Sequence, residues 1–99
     1  MQPELFFVAI RACRVVGTII AGFDGVRGWV HRLAVSPDLR RQGLASRLMQ
    51  RAEISLAQLG CPKVNLQVRE SNLDVLKFYR ALGYDVEARA SLGKALLIP

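Results

Sequence analysis

The chain has 99 residues, of which 52% are hydrophobic, and it contains only 4 prolines and no repetitive tract. This composition excludes a disordered chain and supplies enough apolar surface for one core but not for two. We therefore expect a single domain over residues 1–99. The formal net charge of +6 favours an anionic partner, for which nucleic acid, an acidic membrane and a polyphosphate cofactor all qualify.

The cysteines and the histidine argue against metal and disulfide sites. Cys13 and Cys61 lie in no Cys-x-x-Cys or Cys/His cluster, and His31 is the single histidine. Two isolated cysteines do not form a disulfide framework, and one histidine lacks partners for zinc. No apolar run reaches the roughly 20 residues that span a bilayer, and no export signal is visible. We expect reduced thiols, no metal, no membrane partner and a cytoplasmic location.

The first half of the chain predicts three strands. Residues 5 to 10 and 15 to 23 are apolar and rich in aromatic and β-branched side chains. Asp24-Gly25 is a strong turn signal before a third strand over residues 28 to 36. Alternation in that strand is expected to place one set of side chains on one face. The set comprises Trp29, His31, Leu33 and Val35.

The second half predicts two helices and a strand between them. From Gly43 the hydrophobic period becomes helical, and Gly60 is a suitable stop for this first helix. Residues 63 to 69 alternate as a strand does. Asn72 can cap a second helix, which is expected to end at Gly83. Val75, Leu76, Tyr79 and Leu82 are expected to form its buried stripe.

Two closing strands are predicted at residues 84 to 88 and 94 to 98. The complete order is β-β-β-α-β-α-β-β, which is an α/β (α+β) fold with two helices and a mixed, mostly antiparallel sheet. The β-α-β step is expected to be parallel and right-handed.

The most informative segment runs from Val35 to Ser46. A strand ends there, a short loop follows, and a helix begins at Gly43. The first turn of a helix offers free backbone N–H groups and the positive end of the helix dipole, and this geometry suits pyrophosphate. Arg40 and Arg41 add positive charge beside it. The alternative is a loop in which the glycine only eases a turn.

Two motifs in this order resemble those of the GNAT superfamily of N-acetyltransferases. Arg40-x-x-Gly43-x-Ala45 follows the strand end Leu33-Ala34-Val35 and is similar to the R/Q-x-x-G-x-G/A signature. Asn72-x-x-Val75-x-x-Phe78-Tyr79-x-x-Leu82-Gly83-Tyr84 is similar to N-x-x-A-x-x-F-Y-x-x-x-G-F, with valine for alanine and tyrosine for the last phenylalanine. The resemblance covers essentially the whole chain.

This resemblance implies an acyl-CoA N-acyltransferase-like fold that lacks the usual first strand and two helices. It implies acetyl-CoA as the cofactor and acetyl transfer to a primary amine by direct attack. Because an apolar strand then lies near an open sheet edge, we also expect a homodimer. The cofactor-binding residues that the resemblance implies are Leu33, Val35, Arg40, Arg41, Gln42, Gly43, Leu44, Ala45, Ser46, Asn72 and Tyr79.

The resemblance also implies a role for each part of this set. Backbone N–H groups from Arg41 to Ser46 hold the pyrophosphate, and the main chain of Leu33 and Val35 pairs with the pantetheine arm. The N–H of Val35 polarises the thioester carbonyl, and Asn72 hydrogen-bonds the arm.

Tyr79 matches the tyrosine that often protonates the departing thiolate in this family. A phenol, with a pKa of about 10, is chemically able to do so when it is held within hydrogen-bond reach. The alternative is a core aromatic residue on the helix stripe.

The general base stays open. Related ribosomal-protein N-acetyltransferases carry a glutamate where this chain has Gln67, and an amide cannot accept the proton. His31, Glu70 or a chain of water molecules are the candidates.

Two functions compete with the enzyme: a module that binds acetyl-CoA with little turnover, and a small basic domain that binds nucleic acid. The chain lacks the usual RNA-binding strand pattern and a helix-turn-helix signature, so we expect no nucleic-acid partner. The acceptor is either a small-molecule or a protein amine.

Overall fold

The computed structural model describes residues 5–40 and 42–97. Two compact units divide the chain between Arg69 and Glu70. The single domain expected from chain length stays a prediction. The elements in chain order are β1 (Leu5–Arg11), β2 (Arg14–Phe23), β3 (Gly28–Val35), a 3₁₀ turn (Pro37–Leu39), α1 (Leu44–Gln58), β4 (Val64–Asn65) and α2 (Leu73–Ala81).

The first unit is a four-stranded sheet in the order β1-β2-β3-β4 with α1 packed against β1, β2 and β3. The first two pairings are antiparallel, and β3 pairs with β4 in parallel. The α+β class with a mixed, mostly antiparallel sheet is therefore confirmed. Apolar side chains of the sheet and of α1 form the core, which comprises Val16, Ile19, Ala21, Val30, Leu48, Met49, Ala52 and Leu56.

A two-residue turn joins β1 to β2. Ala12 and Cys13 both have positive φ, at 52° and 60°, between the paired residues Arg11 and Arg14. Two successive left-handed residues match the twist of a hairpin, but each costs about 1 kcal/mol without a glycine. The turn pairs Arg11 with Arg14, which places the two arginines side by side at the tip of the hairpin.

The register between β2 and β3 shifts by one residue at His31. Before the shift Val30 is buried, and after it Leu33 and Val35 are the less exposed residues, while His31 is exposed. The expectation that Trp29, His31, Leu33 and Val35 share one face is therefore wrong for the first half of the strand. The extra residue of a bulge reverses the alternation, and simple alternation in the sequence does not reveal it.

The two helices begin and end where the sequence predicts. Gly43 precedes α1, and Gly60, with φ 86°, follows its C-cap residue. Asn72 caps α2, and Gly83, with φ 98°, follows its end. The predicted stripe of α2 is half-buried rather than buried in this structure. It consists of Val75, Leu76, Tyr79 and Leu82.

The later strands differ from the prediction. Only Val64–Asn65 of the predicted strand over residues 63 to 69 is paired. The predicted strands over residues 84 to 88 and 94 to 98 are not formed within the described residues 84–97, and Ile98 lies outside them. Leu92, Leu96 and Leu97 are exposed there. A strand requires a hydrogen-bonded neighbour as well as apolar composition, and these residues have no strand partner within the described chain.

Candidate active site

The N-terminus of α1 is open toward an approaching group. Gly43 has φ 77°, and a Cβ atom there would meet no atom within 4 Å. The amide of Arg47 donates to the carbonyl of Gly43 at 3.1 Å, so the amides of Leu44, Ala45 and Ser46 precede the helix's own bonding pattern. No side chain caps this end, and its first turn contains no acidic residue. The geometry suits the two phosphates of a pyrophosphate.

The loop before α1 is tied to the β1–β2 hairpin. Arg11 Nη1 donates to Gln42 Oε1 at 3.0 Å, and Arg14 Nη2 lies 3.2 Å from Asp38 Oδ2. Arg40 is exposed beside them. Arg41, which the sequence also predicts for this site, lies outside the described residues. The described charges around the loop are three arginines and one aspartate, so the region is net positive.

The outer edge of β3 carries unpaired main-chain groups near its end. The amide of Ser36 donates to the carbonyl of Val16 on β2 at 2.8 Å. Hydrogen-bonded and non-hydrogen-bonded pairs alternate along an antiparallel ladder, so Leu33 and Val35 occupy the non-hydrogen-bonded positions. Their N–H and C=O groups point away from β2. Because β4 pairs only with the first two residues of β3, no strand within 5–40 or 42–97 covers these groups.

These two features fit the parts of a CoA thioester. The pantetheine arm carries amide groups, which an open strand edge binds as it would an added strand. The pyrophosphate carries the negative charge that a helix N-terminus stabilises. Both features belong to the first unit and follow one another along the chain within residues 33–46.

The second unit contains the other two predicted residues. Asn72 Oδ1 accepts a long hydrogen bond of 3.4 Å from the amide of Val75 and so caps α2. Tyr79 is half-buried, with its ring edge-on to those of Phe78 and Tyr84 at centroid distances of 5.0 and 5.7 Å. Burial raises the pKa of Tyr79. The phenol is therefore protonated throughout the neutral range, as a proton donor must be.

The two candidate base side chains, His31 and Glu70, are both exposed, and so is Gln67 at the position of the family's glutamate. His31 lies at the bulge of β3, Gln67 follows β4, and Glu70 begins the second unit. Gln67 does have an interaction of its own. Exposure to bulk solvent leaves a path for a proton from His31 and from Glu70.

Sequence reasoning missed the hairpin arginines. Arg11 and Arg14 contact residues 31 and 24 positions away, respectively. No local pattern signals a contact at that separation; a pair of arginines around a two-residue turn is the only hint.

The described residues contain neither a metal-binding cluster nor a membrane-spanning helix. No group of three or more His, Cys, Asp or Glu side chains that could hold a metal occurs in residues 5–40 and 42–97. Over the same ranges no helix has the length and apolar character needed to cross a membrane. Cys13 and Cys61 are both free.

Comparison with known proteins identifies the family. The model of the acetyltransferase (GNAT) family matches residues 1–84. An acetyltransferase of Yersinia enterocolitica is 43% identical over 97 residues, which make up 98% of this chain and 69% of that protein.

Solved structures share the fold. An aminoglycoside 6′-N-acetyltransferase of Acinetobacter haemolyticus is 19% identical with a TM-score of 0.80, covering 96% of this chain and 72% of that one. A second such enzyme, in complex with the bisubstrate analogue CoA-S-monomethyl-acetylneamine, is 18% identical with a TM-score of 0.84, covering 95% and 70%. At these identities the likeness establishes the fold. The chain belongs to the GNAT family and is an N-acetyltransferase that takes its acetyl group from acetyl-CoA.

Proposed function

We propose that acetyl-CoA binds along the outer edge of β3 and the N-terminus of α1, and that a primary amine attacks its acetyl group directly. The observation that carries this proposal is the continuity of the two features. The unpaired main-chain groups of Leu33 and Val35 are followed, a few residues later in the chain, by the uncapped helix start at Gly43. One extended anionic thioester matches both.

The phosphate-binding part consists mainly of backbone. The amides from Arg41 to Ser46 hold the pyrophosphate, and Gly43 leaves room for the close approach. Arg40 adds charge at the rim. Backbone donors are fixed before the ligand arrives, so binding costs little reorganisation.

The strand edge orients the reacting carbonyl. Leu33 and Val35 pair with the amides of the pantetheine arm, and the N–H of Val35 polarises the thioester carbonyl. A thioester supplies an activated acetyl group. As the amine nitrogen bonds to the acetyl carbon, the N–H of Val35 stabilises the negative charge that develops on the carbonyl oxygen.

The second unit supplies the proton donor. When the C–S bond breaks, the Tyr79 hydroxyl donates its proton to the departing sulfur. The desolvation that raises the pKa of Tyr79 keeps this proton in place until the transfer. Asn72 hydrogen-bonds the pantetheine arm in addition to capping α2.

Neither cysteine is positioned to carry the acetyl group. Cys13 lies exposed in the β1–β2 turn, and Cys61 Sγ donates to the carbonyl of Lys63 at 3.1 Å. Neither lies in the strand edge or the turn at Gly43. We therefore propose a ternary complex without an acetyl-cysteine intermediate.

The proton from the incoming amine passes to His31, to Glu70 or to water. The rate of acetyl transfer as a function of pH distinguishes these candidates. If His31 is the base, His31→Gln lowers kcat while Glu70→Gln leaves it unchanged. If Glu70 is the base, Glu70→Gln lowers kcat while His31→Gln leaves it unchanged. If water is the base, neither variant changes the profile.

The acceptor proposed here is a primary amine of a small molecule or a protein. Turnover of acetyl-CoA with a panel of amines tests this proposal. The panel includes aminoglycosides because two structural neighbours are aminoglycoside N-acetyltransferases. Protein N-termini, lysine side chains, polyamines and small metabolites complete it. The net charge of +6 disfavours polyamines at the mouth of the site.

A thermal-shift titration with acetyl-CoA tests the cofactor site, with ATP and a short DNA duplex as anionic controls. A ligand at 100 times its dissociation constant adds about 2.7 kcal/mol of stability, which raises Tm by several degrees in a small domain. We expect stabilisation by acetyl-CoA alone. Equal shifts with all three anions would contradict the proposal, because they would indicate only a basic surface.

We further propose one GNAT domain that forms a homodimer in the cytoplasm, without nucleic-acid or membrane partners. In the described part of the chain, β1 is one of the edge strands of the sheet, and Phe6, Val8 and Ile10 on it are exposed. Light scattering at micromolar concentration is expected to give twice the chain mass, and Val8→Lys to reduce it, since charge disfavours edge pairing. A monomeric wild type would refute the dimer.

A further inference from the structure

A cavity lies between the β1–β2 hairpin and the 3₁₀ turn. It has a volume of about 430 Å³ and is lined by Arg11, Ala12, Arg14, Val16 and Leu39. Its lining therefore combines apolar side chains with two guanidinium groups. This cavity lies outside the strand edge and the helix turn assigned above to the pantetheine arm and the pyrophosphate.

One wall of the cavity touches the phosphate-binding turn. Arg11 Nη1 donates to Gln42 Oε1 at 3.0 Å, and Gln42 directly precedes Gly43. If a pyrophosphate is held at Gly43 and the pantetheine arm follows β3, the group on the other side of the pyrophosphate lies close to Arg11. In CoA that group is an adenosine with a phosphate on its 3′ oxygen.

The lining suits both parts of such a group. Arginine binds phosphate through two parallel N–H donors, and its planar guanidinium also stacks on aromatic rings. Leu39, which is half-buried, offers an apolar surface to a purine, and the almost fully buried Val16 closes the cavity behind it. The arginines are therefore able to bind the phosphate of a nucleoside phosphate, and the apolar side chains are able to contact its base.

The present partners of the two arginines are replaceable. The pair between Arg14 and Asp38 is exposed, with 65% of each side chain accessible. Exposed ion pairs contribute little to stability. Arg11 bonds only to the neutral amide of Gln42 among the contacts the structure gives it. A phosphate dianion carries more charge than either partner and competes well for both arginines.

We propose that this cavity receives the 3′-phosphoadenosine end of acetyl-CoA, with Arg11 and Arg14 binding the 3′-phosphate. The inference rests on the proposed site at β3 and α1. It gives the β1–β2 hairpin a role in recognising the cofactor: the hairpin distinguishes CoA from a CoA that lacks this phosphate.

Calorimetric titration with acetyl-CoA and with acetyl-3′-dephospho-CoA tests the proposal directly on the wild-type protein. We expect acetyl-CoA to bind roughly tenfold more tightly or better, since hydrogen bonds to charged groups are the stronger class. Equal affinities would overturn this inference and leave the site at β3 and α1 intact. Failure of both ligands to bind would overturn both proposals.

Charge-matched variants then locate the effect. Arg11→Gln and Arg14→Gln are expected to bring the ratio of the two affinities close to one, because they weaken the binding of acetyl-CoA more than that of the dephospho ligand. Arg27→Gln removes the same charge at the β2–β3 turn and is expected to keep the wild-type ratio. If the hairpin variants weaken both ligands equally, the arginines only support the loop and the proposal is wrong.

Asp38 provides a test in the opposite direction. Asp38→Asn frees Arg14 from its carboxylate partner. We expect tighter binding of acetyl-CoA, by about two- to threefold, and no change for the dephospho ligand. Equal tightening of both ligands would contradict a role at the 3′-phosphate.

Discussion

The N-termini of the two helices are built differently. At α2 the side chain of Asn72 accepts from the amide of Val75, and Asp74 stands in the first turn. At α1 a left-handed glycine, Gly43, precedes the helix, with no capping side chain and no acidic residue. One helix end satisfies one of its own free amides with a side chain, and the other has no capping side chain.

This difference shows how to distinguish a structural helix start from a binding one. A capped end gains about 1 kcal/mol of stability from its cap, and its first-turn carboxylate repels an incoming anion. An uncapped end forgoes that stability, and a ligand can recover it. The sequence contains both kinds within about thirty residues, and only α1 has the pattern expected of a phosphate-binding turn.

The largest expected effect lies in the second unit, where Tyr79 on α2 is the proposed proton donor. Tyr79→Phe removes the proposed proton donor and keeps the ring that packs on Phe78 and Tyr84. We expect kcat to fall by about a hundredfold, with the dissociation constant for acetyl-CoA unchanged. Steady-state kinetics with a matched Tyr84→Phe control measure this. An equal loss in both variants would point to packing instead of proton transfer.

The next effect tests the open end of α1. Gly43→Val places a β-branched residue at φ 77°. An added Cβ atom has no neighbour within 4 Å there, so the substitution is unfavourable only because of the left-handed backbone conformation. We expect the affinity for acetyl-CoA to fall about tenfold or more and stability to fall by about 1–2 kcal/mol.

Gly60→Val is the matched control for that experiment. Gly60 has φ 86°, also with nothing near its Cβ position, at the other end of the same helix. The control is expected to lose similar stability and to keep its affinity for acetyl-CoA. Equal loss of affinity in both variants would mean that helix stability alone governs binding.

A smaller effect separates the two roles given to Asn72. Asn72→Ala removes the cap and is expected to cost about 1 kcal/mol of unfolding free energy, whereas Asn72→Ser keeps most of it. Denaturant unfolding measures the cap. If Asn72 also binds the pantetheine arm, both variants weaken acetyl-CoA binding. If serine restores affinity together with stability, the residue is only a cap.

The smallest expected effect concerns the β2–β3 turn, where the carboxylate of Asp24 binds the free amides. Asp24 Oδ1 accepts from the amides of Arg27 and Val26 at 2.8 and 2.9 Å, and Oδ2 accepts from Trp29 Nε1 at 3.1 Å. These bonds lower the pKa of Asp24, with the one from Arg27 the largest cause.

Because the pKa of Asp24 is lower in the folded state than the unfolded value of 3.8, ionised Asp24 stabilises the folded protein at pH values above 3.8. This stabilisation is lost as the pH falls through the lower pKa of the folded state. In Asp24→Asn, the free energy of unfolding is therefore expected to decrease less as the pH is lowered. Unfolding followed by Trp29 fluorescence at several acidic pH values measures this. An unchanged acid profile would contradict the assignment.

Much of the fold could be predicted because its signals are local. Periodicity and turn residues located β1, β2, β3 and both helices to within a residue or two, and Gly43, Gly60, Asn72 and Gly83 marked the helix ends. The glycine turn that is proposed to bind pyrophosphate could also be located, because it depends on a strand, a glycine and a helix that follow one another directly.

The features that could not be predicted depend on pairing. The bulge at His31 reverses the burial of β3, and the segments predicted as closing strands have no strand neighbour in the described part of the chain. Alternation predicts that a segment is able to form a strand. It does not specify the partner, and hydrogen bonding to a partner is what defines a strand.

The sequence by itself determined the family, the element order and the turn that fits pyrophosphate, because each of these depends on residues adjacent in the chain. Only the tertiary structure revealed that Arg11 and Arg14 reach the loop before α1, and that the main-chain groups of Leu33 and Val35 face away from β2. Those features depend on register and on contacts across more than twenty residues. Such contacts form only when the strands and helix pack together.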